Sequence, residues 1–97
     1  MFSIPIRGND KNQRFEIQLG ENLVEFRLNY LENFEQWAID MSIEGELIAA
    51  GAILLPGQLI AQLTAERLGG VLGFLGEPAT LENLGLANRL VFDVEDI

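Results

Sequence analysis

The reactive side chains of this sequence are mostly carboxylates. Fifteen Asp and Glu stand among 97 residues with 6 Lys and Arg, no His and no Cys. Close pairs occur at Glu32/Glu35 and Glu44/Glu46, with a third group at Asp93, Glu95 and Asp96. Two carboxylates held across a cleft can hydrolyse a glycosidic bond. In a short chain this rich in acid, however, close spacing follows from density alone, and Asp and Glu are mostly exposed. Solvated turns and polar strand faces are therefore expected for these groups. Acyl transfer lacks its parts, because Ser3, Ser42, Thr64 and Thr80 have no His and no nearby Lys to activate them. The absence of Cys removes thiolate nucleophiles, zinc–thiolate sites and disulfides. No catalytic residue is expected.

The cofactor and metal signals are equally thin. Asn9-Asp10-Lys11-Asn12-Gln13 looks like the opening of a calcium loop but lacks the downstream Gly and bidentate Glu, so it reads as a polar loop. Gly69, Gly70 and Gly73 lack the Lys-Ser/Thr of a phosphate loop and the βαβ frame of a dinucleotide fingerprint. Neither metal nor cofactor is expected. A formal charge of −9 argues against nucleic acid, which is bound through Lys/Arg patches. The longest apolar run, Leu47 to Leu55, is far short of the ~20 residues a membrane helix needs. The opening MFSIPIRGNDKNQR has no apolar core of signal-peptide length. No membrane insertion is expected, and synthesis is expected in a cytoplasm.

The elements that would position these side chains have period two. Phe15, Ile17 and Leu19 alternate with polar residues up to a turn at Gly20. Val24, Phe26, Leu28 and Tyr30 then share one face, with Glu25, Arg27 and Asn29 on the other. This is the pattern of a half-buried antiparallel strand. Trp37, Ile39, Met41 and Ile43 form a third such face, ended by Glu44-Gly45, where a tight hairpin needs positive φ. Asp40 alternates with that face, which makes a surface charge the favoured reading over a buried hydrogen-bond anchor. From Glu46 to Leu55 both faces are apolar or small, as in a central or covered strand, and Gly51 within it marks a bulge, a bend or a close backbone approach. Pro56-Gly57 ends it. A short helix or irregular turn is expected near residues 58–68, a short strand at Val71–Leu75, a turn at Asn83-Leu84-Gly85, and a last strand from Arg89 to Val94 containing Phe92.

Turn signals about every ten residues indicate an all-β fold: a small antiparallel barrel or sandwich of five to six meander strands. A single domain over residues 1–97 is expected. The expected core is Phe15, Phe26, Tyr30, Trp37, Ile39 and Phe92, and the expected turn glycines are Gly20, Gly45, Gly57 and Gly85.

The order of these features resembles the small baseplate plug family of contractile-tailed bacteriophages. Phe15, Ile17, Leu19 and Gly20 match its opening strand, and Phe26, Leu28 and Tyr30 its second. Trp37 and Asp40 supply a W-x-x-D, Gly45 the hairpin, Gly51, Leu54 and Gly57 the next element, and Asn83, Leu84 and Gly85 the late turn. The resemblance runs from Ile4 to Val94 and departs from the family pattern in the leucine- and glycine-rich stretch from Gln58 to Gly76. It implies a non-enzymatic component of the virion tail baseplate, packed against hub, tube or wedge proteins and present in several copies in a symmetric assembly. The competing reading is a stand-alone β-module that binds a peptide or small ligand.

A hydrophobic fraction of 48% is high for a chain this small, and surplus apolar surface marks a partner. Leu54, Leu55, Leu59, Ile60, Leu63, Leu72 and Phe74 are the expected interface, because no clear strand alternation accounts for them.

Overall fold

A computed structural model describes residues 2–57 and 70–94. The strands are β1 (Phe2–Ile4), β2 (Asn12–Leu19), β3 (Asn22–Leu31), β4 (Gln36–Ile43), β5 (Glu46–Ile53), β6 (Gly70–Gly76) and β7 (Asn88–Val94). They form two antiparallel sheets, a four-stranded meander ordered β2-β3-β4-β5 and a three-stranded sheet ordered β1-β7-β6. The sheets do not close into a barrel, so the fold is sandwich-like. The expected helix near 58–68 lies outside the described residues.

Alternation sets the inner faces. Val24, Phe26 and Leu28 of β3 and Trp37, Ile39, Met41 and Ile43 of β4 are buried, and with Leu72, Phe74, Leu90 and Phe92 of the smaller sheet they form one core. Direct cross-strand partners carry the aromatic contacts. Phe15 pairs with Phe26 and Tyr30 with Trp37. The first pair is stacked at 5.4 Å between centroids and the second meets edge-on at 5.3 Å. Both geometries suit the ring quadrupole. Phe15 and Tyr30 pack on the core from its margin.

Among the described residues β5 pairs only with β4 and lies at the edge of its sheet, so of the two readings of its composition, central or covered, the central one does not hold. Small Ala49, Ala50 and Ala52 do not declare a face, and the strand presents an irregular mixture of half-buried and exposed residues. Its pairing with β4 slips on both sides of Met41. Gly51 sits opposite that irregularity at φ 67°, the left-handed region a bulge draws on. A Cβ there would meet open space, which removes close backbone approach as the reason for this glycine. Asp40 occupies the outer face as expected, but it is more than a surface charge. Its Oδ1 accepts the Gly51 N–H at 2.6 Å, pinning the bulge.

Two of the three hairpins of the meander turn at the same end of the larger sheet. Gly20 lies in the turn from β2 to β3, and Glu44 and Gly45, both at positive φ, form the turn from β4 to β5. The opposite end gathers the connections 5–11, 32–35 and 77–87.

Candidate functional site

Among the described residues the acidic groups do not converge. Glu32 forms an ion pair with Lys11, while Glu35 is exposed at the tip of the same loop. Glu44 and Glu46 flank an exposed turn, and Asp93 lies on the outside of β7. Glu95 and Asp96 lie outside the described residues. Among the described residues, no group of three acidic side chains is placed to hold a metal ion. Thr80 uses its hydroxyl oxygen to accept the Asn83 N–H at 3.0 Å. Ser42 lies on the outer face of the larger sheet and Ser3 on the exposed side of β1. Thr64 is outside the described residues.

The outer face of the larger sheet carries an ion-pair ladder. Glu25 accepts from Arg14 Nη2 at 3.0 Å and from Arg27 Nε at 3.1 Å. The Arg14 hydrogen bond holds the Glu25 carboxyl below its ordinary value of 4.5, against partial desolvation and with further help from Arg27. Across the sheet end, the hydrogen bond and charge of Glu32 raise Lys11 above its ordinary 10.5.

The expected interface divides. Leu54, Leu72 and Phe74 are core residues, 3%, 1% and 0% exposed, and cannot meet a partner. In β6 (GVLGFLG) the glycines hide an ordinary alternation whose inward positions are Leu72 and Phe74. Leu54 turns inward just after β5, where its N–H donates to the Trp37 carbonyl oxygen at 3.0 Å. Leu55 is exposed. Leu59, Ile60 and Leu63 lie outside the described residues. The turn residues Gly20, Gly45, Gly57 and Gly85 all have positive φ.

The most organised surface is the end formed by 5–11, 32–35 and 77–87. Buried Gln13, at the start of β2, holds the first loop. Its Oε1 accepts the Arg7 N–H at 3.2 Å, and its Nε2 donates to the carbonyl oxygens of Arg7 and Asp10. The Asn9 N–H reaches the Leu81 carbonyl at 2.7 Å, joining the first loop to the third. Within the third, Asn83 Oδ1 accepts the Thr80 N–H at 2.7 Å and Asn83 Nδ2 donates to the Pro78 carbonyl at 3.0 Å. Buried Asn88 bridges the loop's two ends, accepting from Gly85 N and donating to the carbonyl of Glu77 and to Asn83 Oδ1. At Gly85, φ is 82° and a Cβ would stand 2.2 Å from the Ile6 carbonyl oxygen, so backbone meets backbone there.

Two large apolar side chains project from this framework, Phe34 at 71% and Leu86 at 85% exposure. The sequence marks neither of them as a site residue, nor Asn88, and Gln13, the end of the run that reads as a polar loop, is instead a buried residue of β2. Phe34 and Leu86 did carry a signal, being bulky apolar residues inside segments otherwise built from turn formers. Gln13 and Asn88 carried none, because their partners are set by tertiary structure.

Residues 12–19 of the opening strand, the W-x-x-D on β4, the Gly45 hairpin and the Asn83–Gly85 turn thus occupy one continuous two-sheet framework. No curated protein matches the chain. A family model described as cyanophage baseplate Pam3 plug gp18 matches residues 1–95, and the chain belongs to that family of phage baseplate plugs, whose role is structural and whose place is the virion tail baseplate.

Proposed function

We propose that the chain is a structural subunit of a contractile-tail baseplate, working without catalysis through protein–protein contacts with hub, tube or wedge proteins. The observation that carries this reading is the family match over residues 1–95. Membership already implies interaction with other baseplate components; which ones, and in how many copies, is the finer proposal. We read the chain as one domain repeated in a symmetric assembly, made in the host cytoplasm. Leu55, Leu59, Ile60 and Leu63 remain proposed interface residues. The charge of −9 keeps an apolar-rich chain soluble until it is incorporated.

The test is location in the particle. Purified tails should contain the chain at a fixed stoichiometry, and a reconstruction should seat its two-sheet density against hub, tube or wedge. Tails that lack it while it accumulates free in the lysate would refute the reading. Charged substitutions at Leu59 or Leu63 should block incorporation of a chain that still folds; unfolding would make those residues core instead.

A further inference from the structure

Six large apolar side chains are exposed among the described residues, Leu55 and Leu75 only marginally at 38% and 39%. Leu23 and Leu47 lie on the outer face of the larger sheet, near the hairpin end, whereas Phe34 and Leu86 belong to the loops of the other end. These last two are both held through their backbones. The Leu86 N–H donates to the Asn83 carbonyl at 2.9 Å, and its neighbour Ala87 donates to the same oxygen and accepts from Glu77 N. The Phe34 N–H donates to the Leu31 carbonyl at 3.1 Å. A backbone already held in place leaves only side-chain entropy to be lost on binding, and a few exposed apolar anchors dominate interface energetics.

Charge selects the partner. Glu35 follows Phe34 in sequence, and Glu77 and Glu82 lie in the loop that carries Leu86; all three are exposed, and none forms an ion pair among the described residues. Of the cations near this end, Arg7 and Lys11 are already paired with Asp10 and Glu32, and exposed Arg89, next to Asn88, stands without an ion pair among the described residues against these three carboxylates. A second copy would bring the same carboxylates and another −9, a like-charge encounter that disfavours docking.

We propose that this end, with Phe34 and Leu86 as anchors and Glu35, Glu77 and Glu82 as rim, is the seating surface of the chain, and that it fits a different protein bearing Lys/Arg around apolar recesses. The proposal rests on the baseplate reading and adds to it a face and a partner chemistry.

The experiment adds purified chain to tail particles assembled without it and measures bound chain after sedimentation. F34S and L86S should each lower occupancy about tenfold or more, while L23S and L47S at the other end bind like the wild type. All four should keep the wild-type circular dichroism spectrum, since the replaced side chains are exposed. E35Q/E77Q/E82Q should bind more weakly, with a smaller response to added salt than the wild type. Failure of the wild type to enter the particles refutes the baseplate reading. Entry of the wild type together with undiminished F34S and L86S leaves that reading standing and overturns this surface. A triple variant with wild-type affinity and salt response overturns the basic partner. An oligomer of the purified chain that F34S or L86S dissolves makes the occupant a second copy, which also overturns it.

Discussion

The indole N–H of Trp37 donates to the carbonyl oxygen of Thr80 at 2.9 Å. The bulkiest buried side chain of the larger sheet thus fastens the loop between β6 and β7 of the smaller one. The bond joins positions 43 residues apart, so it constrains how the sheets meet as well as filling the space between them.

Two substitutions separate those roles. Trp37→Ala should cost about 3–5 kcal/mol by opening a cavity. Trp37→Phe keeps much of the ring and should cost less, with about 1–3 kcal/mol coming from the unmatched Thr80 carbonyl. Urea unfolding followed by circular dichroism is the suitable readout, because the chain has a single Trp. A Trp37→Ala chain as stable as the wild type would contradict the assigned core.

Asn88, 3% exposed, is both donor and acceptor. Asn88→Ala should cost about 2–3 kcal/mol by leaving Gly85 N and the Glu77 carbonyl unmatched. Asn88→Asp at neutral pH should be at least as damaging, because it sets a carboxylate against the oxygens of Glu77 and Asn83. The gap between the two variants should narrow on acidification, when a protonated Asp can donate again. A constant gap across pH would show that the side chain does not make those bonds.

The glycines at positions 51 and 85 both have positive φ but differ in surroundings. Gly51→Ala should cost about 1–2 kcal/mol for the left-handed backbone alone. Gly85→Ala adds a collision with the Ile6 carbonyl, so its unfolding midpoint should fall well below that of Gly51→Ala. Equal losses would mean that the 5–11 loop yields freely.

Glu25 and Lys11 predict pH effects of opposite sense. The folded-state pKa of Glu25 is depressed, so its contribution is present above 4.5 and is lost as pH falls through the lower folded value. The stability gap between wild type and Glu25→Gln should accordingly be open at neutral pH and close in acid. Lys11 is raised, so the gap to Lys11→Met should be full below 10.5 and close as pH rises through the higher folded value. Both sites are exposed, and added salt should shrink both gaps. Urea midpoints across pH test each sign separately.

Much of the larger sheet was legible because β3 and β4 alternate cleanly, so Phe26, Trp37 and Ile39 declare their face in the residue order. The short N-terminal strand was not, since Phe2–Ile4 is too brief to display a period and its register depends on β7, at the far end of the chain. In β6 the glycines obscured the inward Leu72 and Phe74. Asp40 showed its side of the strand but not its bond, because its partner Gly51 is brought within reach only by a slip in pairing. For the seating surface, the exposed anchors were visible as residue types, while the loops that assemble them come from three separate parts of the sequence.

The Asp40–Gly51 contact also bears on the life of the chain before it meets a particle. A straight, apolar outer strand would offer another copy a template, and copies could add one after another into an endless ribbon. Bent at Gly51 and clasped by Asp40, β5 interrupts such a template partway along. Strand-by-strand addition of further copies along that edge is thereby disfavoured.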